Sequence, residues 1–139
     1  MREIRFRGKG IYSGYWVYGS LVKAREGIYI IDHEYYSRTE VDPETVGQYT
    51  GVHDDTEDAA KLFDGDIVQV EYEETKHICK VQYCGCGYMF VADSLPDGYL
   101  WLSNFIEFDR KYCWAEGTVK LGNIYENPEV LEVTNEPRN

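Results

Sequence analysis

Residues 61–72, KLFDGDIVQVEY, decide how this chain folds. The apolar pair Leu62-Phe63 runs into Asp64-Gly65-Asp66, after which Val68, Val70 and Tyr72 alternate with Gln69 and Glu71. Glycine takes the positive φ of a tight turn without steric cost, and aspartates beside it bond nearby backbone amides. The segment therefore reads as a turn that launches a strand with a fixed facing, and the rest of the chain is expected to pair around it. This is a structural signal with no chemistry attached.

Working outward, residues 67–72 and 77–83 form the best hairpin in the sequence, joined by Glu73-Glu74-Thr75-Lys76, with His77, Cys79, Val81 and Tyr83 on one face. Upstream, residues 53–60 predict a short helix, since Asp55 or Thr56 can cap it and Glu57 and Asp58 would meet the positive end of its dipole. Residues 45–52 are extended, and residues 32–43 read as loop, with Pro43 preventing a regular central strand. Residues 15–22 and 27–31 pair as a hairpin, and Ile4 and Phe6 alternate with charged residues in a first strand. Downstream, Tyr88 begins another strand, and Ser94-Leu95-Pro96-Asp97-Gly98 is a turn, with proline presetting φ. Residues 99–108 are apolar with a period that does not separate strand from helix. Residues 118–125 close the sheet, Asn127-Pro128-Glu129 start a helical turn through Leu131, and residues 132–139 should fray.

Composition agrees. A chain of 139 residues with 13 Tyr, 5 Phe and 3 Trp is long enough for a core and favours pleated, half-buried surfaces. The expectation is a mainly β fold: one compact, antiparallel, barrel- or sandwich-like domain over residues 1–131 with one or two very short helices. The opening residues are charged and no apolar run approaches a membrane span, so no signal peptide, no membrane contact and a cytoplasmic location are expected, with reduced cysteines.

The net charge of −11 is unevenly spread. Residues 1–25 hold Arg2, Arg5, Arg7, Lys9, Lys23 and Arg25 against Glu3 alone, while the other 24 acids face eight bases. Arg5 and Arg7 are expected to pair with carboxylates of neighbouring strands. The acidic body repels phosphate and argues against direct nucleic-acid binding.

Several constellations bear on chemistry. Cys84-Gly85-Cys86, with Cys79 and His77 upstream and Cys113 downstream, offers soft ligands for zinc, yet the spacing is not that of a ribbon or finger, and four unrelated thiols is the simpler reading. No cofactor is expected. Asp66 followed by Glu74-Thr75-Lys76 superficially fits an Asp…Glu-x-Lys nuclease site, but the pair falls on the predicted hairpin turn. His33 and His53 read as loop residues. Tyr15, Trp16, Tyr18, Tyr99 and Trp101 lack interleaved basic residues and read as core or interface rather than base-stacking platforms. No Ser-His-Asp order, phosphate-cradling loop or dinucleotide fingerprint occurs.

Three motifs carry a resemblance: the opening Met1-Arg2-Glu3-Ile4-Arg5-Phe6-Arg7; Gln48-Tyr49-Thr50-Gly51 followed by Phe63-Asp64-Gly65-Asp66-Ile67-Val68; and Gly122-Asn123-Ile124-Tyr125-Glu126-Asn127-Pro128-Glu129. In this order they resemble the YopX family of phage and prophage proteins. The resemblance implies a mainly β fold and a phage or prophage gene expressed in a bacterial cytoplasm, with no catalytic residues to carry over. Where family members have a short turn, this chain has the longer acidic loop from His53 to Ala60. The expected role is a non-enzymatic interaction module whose partner is a host or phage protein, or a second copy of the chain. Its acidic binding surface is expected at Asp54, Asp55, Glu57, Asp58, Glu73 and Glu74. Two alternatives stand beside it: a nucleic-acid mimic, which would need these acids and Glu71 in a spaced stripe, and a metal-dependent, nuclease-like enzyme.

Overall fold

The computed structural model describes residues 5–134, and these fall into two compact units that divide between Tyr49 and Thr50. The first unit contains β1 (Phe6–Lys9), β2 (Trp16–Lys23), β3 (Ile28–Ile31), β4 (Arg38–Glu40) and the start of β5 (Gly47–His53). The strands are antiparallel in the order β4-β3-β2-β1-β5. Beyond β4 the chain returns to the end of β1. Gly10 bridges Val41, Ile11 N donates to Glu40 O at 3.0 Å, and Asp42 N donates to Lys9 O at 2.8 Å. Val41 is thereby fully buried, as is Ile30.

Strand β4 corrects the expectation of loop over residues 32–43. Its residues are polar, so composition hid it, but Arg38 lies 3.7 Å over the Tyr29 ring and pairs with Glu26 at 2.9 Å. Cation–π and backbone pairing do here what apolar burial does elsewhere. The strand ends at Glu40, and Pro43 opens a single 3₁₀ turn, Pro43–Thr45, where the Asp42 side chain accepts from Glu44 N. Ile4, placed in the first strand by the sequence, lies outside the described residues.

The second unit continues β5 and adds β6 (Lys61–Phe63), β7 (Asp66–Tyr72), β8 (Thr75–Cys84), β9 (Gly87–Val91), β10 (Tyr99–Trp101), a 3₁₀ turn (Leu102–Phe105), β11 (Ile106–Phe108), β12 (Cys113–Ala115), β13 (Thr118–Asn123) and α1 (Pro128–Thr134). Five strands form an antiparallel sheet in the order β10-β9-β8-β7-β13. Strand β6 pairs with β5, and β12 meets β5 in parallel at Trp114 and His53. The mainly β reading holds. The ambiguous stretch 99–108 resolves into strand, 3₁₀ turn and strand. The helix α1 runs three residues past the expected Leu131, and residues 135–139 of the expected tail lie outside those described.

Alternation builds the core. Val68 and Val70 of β7, Cys79 and Val81 of β8 and Phe90 of β9 all point to one side, where Val52, Leu62, Ala92, Leu95, Leu102 and Ala115 meet them. At about 1.5–3 kcal/mol for each large side chain, this cluster is the main favourable contribution to folding of the unit.

The short helix predicted over 53–60 is absent. Both candidate caps are used elsewhere: Asp55 Oδ2 accepts from Gly117 N at 2.9 Å, and Thr56 Oγ1 donates to Asp54 Oδ1 at 2.7 Å. Asp54 closes the segment as a loop instead, through Asp54 N to Ala60 O at 2.8 Å and Ala60 N to Asp54 Oδ1 at 2.9 Å.

The turn between β6 and β7 takes the form its residues dictate. Gly65 has φ +92°, and Asp66 Oδ2 accepts from Phe63 N at 2.7 Å. The same turn reaches two further segments. Gly65 N donates to Val81 O and Asp64 Oδ1 accepts from Tyr83 N, both on β8, while Ile124 N, just past β13, donates to Gly65 O. A Cβ on Gly65 would lie 3.1 Å from the Tyr125 ring. Gly65→Ala should therefore lower stability by about 1 kcal/mol or more, through both the left-handed φ and this contact. Thermal denaturation reads it, and an unchanged midpoint would mean that the turn does not hold these segments.

Candidate interaction surfaces

The two units differ in charge. Up to residue 49 the chain has seven acids and seven bases; from residue 50 on, eighteen acids face seven bases, so the whole formal charge of −11 belongs to the second stretch. There, the link between β12 and β13 sets the site. Glu71 N donates to Gly117 O at 3.1 Å, Asp55 N donates to Thr118 O at 2.9 Å, and Glu116 N donates to Phe105 O at 2.8 Å. With Gly117 N bound to the Asp55 carboxylate, these contacts gather Asp55, Glu71 and Glu116 around a groove of about 490 Å³ that is also lined by Asn104, Phe105 and Gly117. An adjoining hollow of about 200 Å³ shares Asp55, Glu71 and Gly117 and adds Lys76. Glu116 was not singled out in the sequence. Only the fold brings it to residues 45 and 61 positions away.

Of the expected acidic surface, Asp55, Glu57, Asp58, Glu73 and Glu74 are exposed. Asp54 is not. It is 3% exposed, and its carboxylate accepts from Thr56 Oγ1, Ala60 N and Lys120 N. Three donors explain why this acid turns inward. Glu73 and Glu74 form the two-residue turn between β7 and β8, both at positive φ (50° and 64°). Glu73 also raises the pKa of the neighbouring Tyr72 phenol.

The nuclease triplet is dispersed. Asp66 is fully buried at the start of β7 and ion-paired to Lys120 Nζ at 3.1 Å, whereas Glu74 and Lys76 lie at the far end of the strand, roughly 20 Å away at ~3.3 Å per residue. The zinc set is dispersed for a related reason. Cys79 points into the core, while Cys84, five residues along the same strand, lies on the opposite face and is exposed, as is Cys86. Among the described residues no group of three His, Cys, Asp or Glu is placed to hold a metal ion.

The remaining singled-out residues are spread over both units. His53 ends β5 rather than lying in a loop. Its ring contacts Ala59 O and sits 4.8 Å from that of Tyr112. His33 Nε2 meets Ser20 Oγ at 2.5 Å beside a hollow of about 120 Å³ lined by Arg5, Tyr18, Gly19, Asp32, His33 and Glu34. Arg7, expected to pair with carboxylates of neighbouring strands, is buried, with its guanidinium 4.8 Å from the Trp16 ring. Tyr15 and Tyr18 are exposed, as are Tyr12, Tyr35 and Tyr36. Tyr99 packs edge-to-face on Trp101 at 5.9 Å.

Burial sorts the thiols. It pushes the Cys79 pKa up from 9.0 to about 12. An unfolded thiol ionises near pH ~8.5, so the folded state loses stability relative to the unfolded one as pH rises from that value towards 12. Under mildly alkaline native conditions an alkylating reagent should modify Cys84 and Cys86 and spare Cys79, which should react only on unfolding. Peptide mapping checks this, and early labelling of Cys79 would contradict its place in the core.

The fold is similar to that in the crystal structure of protein EF1440 from Enterococcus faecalis, with a TM-score of 0.54 at 19% identity over 94% of this chain and 99% of that one. No functionally curated protein matches the sequence. The family model described as YopX protein matches residues 6–132, and with that match over nearly the whole described chain, the protein belongs to the YopX family.

Proposed function

We propose that this YopX protein is a non-enzymatic interaction module of phage or prophage origin, acting in the bacterial cytoplasm on a host or phage protein with a basic surface. The observation that carries this reading is the concentration of the entire net charge in residues 50–139, with Asp55, Glu71 and Glu116 around one open groove. Such a surface speeds encounter with a basic partner and rejects acidic ones. Exposed Tyr12, Tyr15, Tyr35 and Tyr36 provide large amphipathic contact area at low entropic cost, which suits anchoring. The mimic reading is less well supported, because Asp54 is withdrawn from the proposed stripe.

The test is affinity capture from a bacterial lysate with the wild-type chain and with a Glu71→Lys, Glu116→Lys variant, followed by binding measurements on the captured protein. The expected partner is a protein with a positive surface, retained by the wild type, lost by the variant, and weakened on the order of tenfold as salt screens the charges. Retention of nucleic acid, of an acidic protein, or of the same partner by both chains would overturn the proposal.

A further inference from the structure

We propose that Cys84 and Cys86 form a thiol–disulfide exchange site at the tip of the β8–β9 hairpin. Cysteine is among the most buried residue types, yet both of these are exposed, and neither packs against the core that takes Cys79. Cys84 pairs with Gly87, so Gly85 and Cys86 are the two central residues of the turn. Gly85 has φ +56°, the value that the first central position of a II′ turn requires.

Two ~3.8 Å Cα–Cα steps separate the first and third residues of a turn, and folding back at Gly85 shortens that span into the ~4.4–6.8 Å range of Cα atoms that a disulfide joins. The turn is also braced. Tyr83 Oη donates to Gly85 O at 2.7 Å, and the Tyr83 and Tyr88 rings, paired across the strands, pack edge-to-face at 5.3 Å. The braced turn thus keeps the two cysteines two residues apart at one exposed tip.

The chemistry needs an oxidant, and the class is a small-molecule disulfide. One cysteine thiolate attacks a sulfur of that disulfide, forming a mixed disulfide and expelling one small thiolate. The second cysteine thiolate attacks the protein sulfur of the mixed disulfide, closing the Cys84–Cys86 bond and expelling the second small thiolate. Two electrons pass from the cysteine pair to the oxidant, and the two cysteine protons end on the released thiols.

The full chain, equilibrated anaerobically with reduced and oxidised glutathione, acid-quenched and peptide-mapped, tests this. The wild type should lose two hydrogen atoms in mass, all at a Cys84–Cys86 disulfide, in a proportion set by the square of the reduced glutathione concentration divided by the oxidised one. Cys84→Ser and Cys86→Ser should each stop at a mixed disulfide carrying one glutathione. A wild type with glutathione on each cysteine, with two chains joined through these residues, or still reduced where a free Cys-Gly-Cys peptide is oxidised, would overturn the proposal.

Discussion

A carboxylate with no exposed surface has to be met by donors and by positive charge, and Asp66 is met by both. Phe63 N binds one oxygen from within the turn, and Lys120 brings its ammonium to 3.1 Å from the same atom. Lys120 also donates to Lys61 O through Nζ and to Asp54 through its backbone N–H. One residue of β13 therefore answers two buried acids, the turn before β7 and the loop after β5. The bulge in β13 between Lys120 and Gly122 falls at this point, where the pairing with β7 shifts register before resuming at Gly122 and Ile67.

Much of this was legible in the sequence because it rests on local rules. Alternation over residues 67–72 and 77–83 identified the central hairpin, and glycine chemistry identified the turn at Gly65. What failed depended on partners distant along the chain. Asp55 and Thr56 look like helix caps until Gly117 and Asp54 claim their side chains. The strand at Arg38 is polar, and its support comes from Tyr29 and Glu26. The groove was half legible: Asp55 and Glu71 stood out as acids, whereas Glu116 joins them only through the link between β12 and β13.

The same constraint shapes what remains for function. Asp54 and Asp66 are consumed in holding the second unit together, so the acids left at its surface lie on loops and turns, as Asp55 and Glu116 do, or at outward-facing strand positions, as Glu71 does. Their side chains face solvent, where they can meet a charged partner, although the Asp55 carboxylate also holds Gly117 N. The exposed dithiol at Gly85 belongs to this category too, since the hairpin tip carries no part of the core. Core and interaction surface are thus divided between different residues of the same strands, as period-two alternation allows.

The most direct test of this account is a double-mutant cycle on Asp66 and Lys120, read by denaturant unfolding. Lys120→Met alone should cost about 3–5 kcal/mol, because it leaves a buried carboxylate without its countercharge, and combining it with Asp66→Asn should recover a large part of that loss. Additive effects, or a Lys120→Met variant as stable as the wild type, would contradict the claim that this pair anchors the unit.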